Sequence, residues 1–267
     1  MSNSASASAP SIAWTDPQRH AAFDAWLAAQ AGLHNLRAET LRPASADASF
    51  RRYFRVDVAA GGSRIVMDAP PDKENCQPFV QVAGLMRAAG VRVPEVLAWD
   101  EAQGFMLLED VGERTLLDVL DPAQPTAALP YFKDASQALL AWQQASRPGV
   151  LPVYDAALLQ RELQLFPDWY LGQHKGLTLD DTQRDTLAKT FDLIVQRNLQ
   201  GPQVFVHRDF MPRNLMLPRE SDPNQRLGVL DFQDAVYGPI TYDIACLMRD
   251  AFLTWEEDMV LDVTIRY

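Results

Sequence analysis

The apolar pattern of this chain changes its period once, at Glu109-Asp110-Val111-Gly112, and that change constrains the fold more than any other feature. Before it the runs are β-prone. Phe50 to Val58 and Ser63 to Asp68 flank Ala59-Ala60-Gly61-Gly62, where two glycines admit the positive φ angles of a tight hairpin. Pro70-Pro71 stops the second run. A helix is predicted from Pro78 to Ala89, with Phe79, Val82, Leu85 and Met86 on one face and Gly90 at its end. Val93 to Ala98 and Gly104 to Leu108 read as two further strands. Upstream, Asp16-Pro17 supplies an N-cap and a first-turn proline for an amphipathic helix reaching Leu33, with Phe23, Trp26 and Leu27 on its apolar face.

Beyond the change the spacing is helical at roughly 130–146, 155–171 and 180–199. It then breaks into a short strand, Val204 to Val206, a loop from His207 to Asn214, and Leu215 to Leu217. A polar turn through Pro218 to Arg226, an apolar run from Leu227 to Leu230, and a helix beginning near Tyr242 follow. The expected fold is α+β and bilobal: a disordered tail over 1–15, a small antiparallel-sheet lobe over 16–110 and a mostly helical lobe over 111–267, with a hinge between the lobes.

A chain of 267 residues with 48% hydrophobic content can bury a core of that size. The net charge of −11, with a pI near 4.8, argues against a nucleic-acid or anionic-membrane surface, since both need a basic footprint. Cys76 and Cys246 lie far apart, which suits reduced thiols better than a disulfide framework. The opening MSNSASASAPS has neither the basic nor the apolar region of a secretory signal, and no apolar run is long enough to span a bilayer. A soluble cytoplasmic protein is expected, with no nucleic-acid, membrane or obligate protein partner.

Phosphoryl transfer asks little covalent chemistry of a protein: a carboxylate to orient the nucleophile and oxygen ligands to hold Mg²⁺ against phosphates. His207-Arg208-Asp209-Phe210-Met211-Pro212-Arg213-Asn214 offers both in one loop. Asp209 is the candidate base and Asn214, five residues later, a candidate metal ligand. Asp231, directly after the apolar run ending at Leu230, is the candidate anionic ligand. Histidine, aspartate and asparagine also favour plain turns. The pattern His-x-Asp-x-x-x-x-Asn, however, arises by chance in about one chain of this length in a hundred, and the strand leading to Asp231-Phe232 lowers that figure further.

HRDFMPRN, followed by VLDFQD and GPITYDIACLMRD, resembles the aminoglycoside phosphotransferase and choline-kinase branch of the protein-kinase-like fold, over about 45–267. FRRYFRV, VMDAPP, VRVPEVLAWD, LLEDVG and RELQLFPDWYL narrow the resemblance to bacterial cell-wall sugar kinases that phosphorylate N-acetylmuramate and N-acetylglucosamine at the anomeric hydroxyl. The resemblance implies ATP and Mg²⁺ as cofactors, an amino-sugar substrate, and the nucleotide between the two lobes. It gives Asp209 the role of base, Asn214 and Asp231 those of metal ligands, and Asp243 that of a buried tie between the loop and the following helix. His207 would brace the loop. The family usually runs several dozen residues longer than Tyr267, so a C-terminal truncation is expected.

The sequence departs from kinases of the protein-phosphorylating type in three places. Ser45-Ala46-Asp47-Ala48-Ser49-Phe50-Arg51-Arg52 stands in place of a glycine-rich loop, and Met67 stands near the position of the third-strand lysine. Ser49 and Arg52 are therefore the candidate phosphate contacts. Met211 and Gln233 stand where many relatives carry a basic residue and a glycine or acid, which leaves Arg213 to neutralise transition-state charge. Glu109 and Val111 would meet adenine through backbone groups, or form an ordinary acidic linker.

Arg161 to Tyr170 mixes aromatics with carboxylates, the equipment of sugar binding. Glu162, Asp168 and Trp169 are the candidate substrate contacts, while Leu163, Phe166 and Tyr170 equally fit a core stripe. Asp234 would contact substrate or cap a turn. Two other readings stay open: a kinase for aminoglycosides, choline or a homoserine-like alcohol, and a nucleotide-binding pseudokinase.

Overall fold

The structure is a computed structural model that describes residue 12 and residues 14–46, 50–219 and 226–267. The chain divides into two compact units, Met1–Gly84 with Val93–Gly112, and Leu85–Arg92 with Glu113–Tyr267.

In the first unit, helix α1 (Pro17–His34) begins where the Asp16 carboxylate accepts from the N–H groups of Gln18 and Arg19, satisfying donors that a helix start leaves unpaired. It ends at Asn35, whose φ of 54° is left-handed. A five-stranded antiparallel sheet follows, built from β1 (Leu36–Ala46), β2 (Arg52–Val58), β3 (Ser63–Asp68), β4 (Val96–Asp100) and β5 (Phe105–Glu109) in the order β1-β2-β3-β5-β4. Between β3 and β4 runs helix α2 (Gln77–Ala88). The β2–β3 turn uses Gly61 and Gly62 at φ 99° and 77°, as the sequence predicts.

Strand β1 was not anticipated. Its Leu-Arg-Ala-Glu-Thr-Leu-Arg-Pro run alternates weakly and contains Pro43. It lies at the sheet edge, where the missing proline N–H costs no ladder bond, and its register shifts on either side of Arg42-Pro43. Phe23, Trp26 and Leu27 of α1 pack against Phe54, Val56, Val66, Phe105 and Leu107 of the sheet. Ile12 and Trp14, within the segment expected to be a tail, pack against the same cluster.

In the second unit the helices are α3 (Pro125–Gln144), α4 (Ala156–Leu165), α5 (Asp181–Gln200), α6 (Tyr242–Met248) and α7 (Glu257–Arg266). Asp180 and Gln183 exchange side-chain and backbone bonds at the start of α5, a reciprocal cap. Short strands complete it: β6 (Gln203–Val206) pairs with β9 (Val236–Pro239), and β7 (Leu215–Met216) with β8 (Gly228–Val229). Tyr154, Leu159, Val195, Val206 and Val236 form a buried cluster beneath the His207 loop.

The helix expected over 155–171 does not continue as one α-helix. It widens into a π-helix over Phe166–His174, at a junction where Pro167 has no N–H to give the α ladder. The core-stripe reading is corrected accordingly: Leu163 joins the buried cluster, whereas Phe166 and Tyr170 are 45% and 46% exposed. Among the described residues no helix is long and apolar enough to cross a membrane.

Candidate active site

The loop after β6 is held by buried polar groups. Asp243, fully buried at the start of α6, accepts from the N–H of His207 at 2.7 Å and of Arg208 at 3.0 Å. Burial pushes its carboxyl up to about 7 in spite of those two donors. His207 is also fully buried; Nδ1 lies 3.2 Å from the Asp209 N–H and Nε2 2.9 Å from the Leu230 carbonyl. An acceptor role at Nδ1 requires the proton on Nε2. Burial holds the ring neutral, its pKa lowered to about 4. His207 thus braces the loop from Asp209 to the strand that precedes Asp231.

Asp209, Asn214 and Asp231 come together. The Asn214 amide nitrogen donates to the Asp209 carbonyl at 2.9 Å and lies 3.4 Å from the Asp231 carboxylate. A 3₁₀ turn over Pro212–Asn214 carries the asparagine inward, while Asp231 is exposed. Burial raises the pKa of Asp209, and the nearby Asp231 charge raises it further. Among the described residues, only three that are not glycine have left-handed backbone: Asn35, Arg208 and Asp231. Asp231 belongs to this cluster and Arg208 immediately precedes Asp209, and backbone strain of that kind is retained where side-chain aim matters.

The donor set fits a hard divalent cation. Asp231 offers a carboxylate, Asn214 an amide oxygen, and the mutual repulsion of Asp209 and Asp231 marks uncompensated negative charge. Among the described residues no group of three or more His, Cys, Asp or Glu side chains is arranged to hold a metal. A cation here would need further oxygens from a ligand.

The remaining expected site residues fall in different surroundings. Arg213 and Asp234 are exposed near the loop, Arg213 lying 5.5 Å over the Phe252 ring. Asp168 accepts from the Gln164 amide at 2.9 Å, and Trp169 is 66% exposed. Glu162 is not a side chain directed only at solvent. Its carboxylate is ion-paired with Arg208 and accepts from the hydroxyls of Tyr154 and Tyr242.

In the first unit, Ser49 lies outside the described residues. Arg52 is paired with the fully buried Asp68 and stacked 3.8 Å over the Trp14 ring. A phosphate-binding role for it is therefore corrected, because its charge already offsets Asp68. The Glu109 N–H donates to the Glu95 carbonyl at 2.8 Å, so it is not an adenine donor. Val111 is buried beside Asp110, whose carboxylate is held by Arg55, Ser63 and the Gly112 N–H. The pairing of Asp110 with Arg55 has no local sign in the sequence, because the link spans 55 positions.

The chain is 54% identical over 229 residues to the N-acetylmuramate/N-acetylglucosamine kinase of Pseudomonas aeruginosa, covering 85% of this chain and 64% of that protein. It is 47% identical to the protein of the same name from Pseudomonas putida, covering 92% of this chain and 69% of the relative. The chain thus spans about two thirds of the length of these relatives. The fold is similar to a gentamicin complex of APH(2″)-IIa, with TM-score 0.61, 16% identity and coverage of 96% and 82% of the two chains. It is also similar to a choline/ethanolamine kinase family protein from Mesorhizobium loti, with TM-score 0.60, 16% identity and coverage of 93% and 76%. A model of the phosphotransferase enzyme family, APH, matches residues 40–267, and the chain belongs to that family.

Proposed function

We propose that this protein is a cytoplasmic kinase that transfers the γ-phosphate of ATP to the anomeric hydroxyl of an amino sugar, N-acetylmuramate or N-acetylglucosamine, in the recycling of cell-wall sugars. The observation that carries the reading is the convergence of Asp209, Asn214 and Asp231 on one braced loop, in a chain 54% identical to a kinase named for those two sugars.

In this reading Asp209 accepts the proton of the attacking hydroxyl. Its raised pKa suits a group that must take a proton as the phosphoryl bond forms. Asp231 and Asn214 would hold Mg²⁺, which neutralises phosphate charge when bound. Arg213, exposed beside them, offsets negative charge on the transferring group. Trp169 and Asp168 are the proposed sugar contacts, the indole supplying a stacking face. Asp234, three residues after Asp231, is a further proposed substrate contact. Backbone groups of Glu109 and Val111, other than the Glu109 N–H, are the proposed nucleotide contacts.

A coupled ADP-release assay against a panel of sugars, aminoglycosides and choline tests the reading. ADP release with N-acetylglucosamine or N-acetylmuramate is expected. Turnover only on an aminoglycoside or choline would reassign the acceptor, and nucleotide binding without turnover on any of them would make the protein a pseudokinase.

A further inference from the structure

The residue before the proposed base is held in an unusual way. Arg208 has φ 80°, a conformation unfavourable for a side-chain-bearing residue that persists only where its surroundings impose it. Its N–H is tied to Asp243 and its carbonyl accepts from the Cys246 thiol at 3.3 Å, both from α6. Its guanidinium is tied to Glu162, from α4. The ion pair is about four-fifths buried, with side-chain exposures of 23% and 22%.

Glu162 is in turn surrounded by donors. Tyr154 and Tyr242 both direct their hydroxyls at its second carboxylate oxygen, their rings 5.2 Å apart. Burial raises both phenol pKa values; the hydrogen bond to Glu162 raises that of Tyr154 further, and the neighbouring Tyr154 hydroxyl that of Tyr242, so both remain donors at neutral pH. The seat of Tyr154 is exact: a Cβ on Gly238 would lie 2.6 Å from the Tyr154 Cβ, so only glycine fits there. A carboxylate that accepts two hydroxyls and one guanidinium is fixed in both position and charge.

We infer that Glu162 is a positioning residue: through its ion pair with Arg208 it sets the left-handed turn that aims Asp209. The inference rests on the proposed role of Asp209 as acceptor of the hydroxyl proton, and it removes Glu162 from the substrate contacts. Without Glu162 the Arg208 guanidinium would stand about four-fifths buried without its ion-pair partner, left with only the Asp234 carbonyl at 3.5 Å. The turn would lose its side-chain anchor while keeping its backbone bonds to α6.

Glu162→Gln keeps the shape and two of the acceptor contacts but removes the ion. In the full protein, amide hydrogen exchange over 206–210 should quicken about tenfold, with the thermal midpoint within a few degrees of the parent. With amino sugar and ATP, kcat should fall about 10- to 100-fold, the scale of a misplaced catalytic group, while the sugar KM stays within about threefold. Arg208→Gln should cost as much, and the double variant no more than either single change. Unchanged loop exchange, unchanged kcat, additive losses, or a tenfold rise in sugar KM at constant kcat would overturn the inference. Should Glu162→Gln not fold, Arg208→Gln alone gives the same exchange reading. If the parent protein phosphorylates no amino sugar, the proposed function fails, and the exchange measurement still decides whether Glu162 anchors the turn.

Discussion

The side-chain amide of Asn214 donates to the main-chain carbonyl of Asp209 at 2.9 Å. The proposed metal ligand and the proposed base are therefore mechanically joined, five positions apart, across a 3₁₀ turn. His207 ties the same segment to Leu230, one residue before Asp231. A single loop and a single strand end thus fix three groups that phosphoryl transfer must hold in register.

That link separates three variants. Asp209→Ala should leave nucleotide affinity nearly intact and lower turnover by about two to four orders of magnitude, the scale of a positioned acid–base group. Asp231→Ala should weaken Mg-nucleotide binding by calorimetry as well as turnover. Asn214→Ala removes both the amide oxygen and the tie to Asp209, so it should show both defects together. Parental turnover in Asp209→Ala would remove this loop from the chemistry.

Asp68 is fully buried and faces two arginines, Arg19 and Arg52. Breaking a buried pair strands an uncompensated charge, at about 3–5 kcal/mol. Asp68→Ala should therefore lower the chemical-denaturation midpoint strongly. Arg52→Ala should do so more mildly, because Arg19 still offsets the carboxylate. The ATP KM of Arg52→Ala should stay within about twofold of the parent, since its guanidinium is spent on Asp68 and Trp14. A tenfold rise in that KM with unchanged stability would restore Arg52 to the phosphates.

The contrast between Arg52 and Asp209 shows what the sequence could convey. The His207 to Asn214 loop was legible because its residues are local: the proposed base, the histidine that braces the loop and the proposed ligand fall within eight residues, between apolar runs. The β2–β3 hairpin was legible for the same reason, through Gly61-Gly62. Partners brought together over long separations were not. Arg52 meets Asp68 and Trp14, and Glu162 meets Arg208 from 46 positions away. Residue type gives no sign of whether such a charge will face a partner or a ligand. Strand β1 was hidden by the charges and proline of an edge strand, and the π-helix by Pro167, whose effect on the ladder depends on what packs around it.

His207 and Asp243 should give opposite pH dependences. A histidine ordinarily near 6.5 and held near 4 in the fold lets the unfolded chain bind more protons between those values. Its contribution to stability therefore rises with pH from about 4 to 6.5. An aspartate ordinarily at 3.8 and raised to about 7 does the reverse: the fold binds the extra proton, and stability falls as pH rises from about 4 to 7. Asp243→Asn should lose about 1–3 kcal/mol, because one of the two N–H groups loses its acceptor. Its remaining stability should climb with pH across 4–6.5 more steeply than the parent's. His207→Gln should show the opposite tilt. Parallel stability curves for parent and both variants would mean that neither group changes protonation on folding.

The last prediction concerns which hydroxyl receives the phosphate. The anomeric hydroxyl of a sugar is more acidic than its other alcohols, so a carboxylate that orients it and accepts its proton late has the least to do there. In this loop Asp209 has no cationic neighbour at position 211, which is methionine. The one residue adjacent to it that carries a cation, Arg208, is paired with Glu162. Such a site is matched to the more acidic acceptor. With ATP and N-acetylglucosamine, the product should be a sugar 1-phosphate whose phosphorus resonance couples to the anomeric proton. The 1-O-methyl glycoside should not be phosphorylated, yet it should compete with the free sugar, because only the acceptor oxygen is blocked. A 6-phosphate from the free sugar, or any phosphorylation of the glycoside, would exclude the anomeric acceptor while leaving Asp209, Asn214 and Asp231 in place for another hydroxyl.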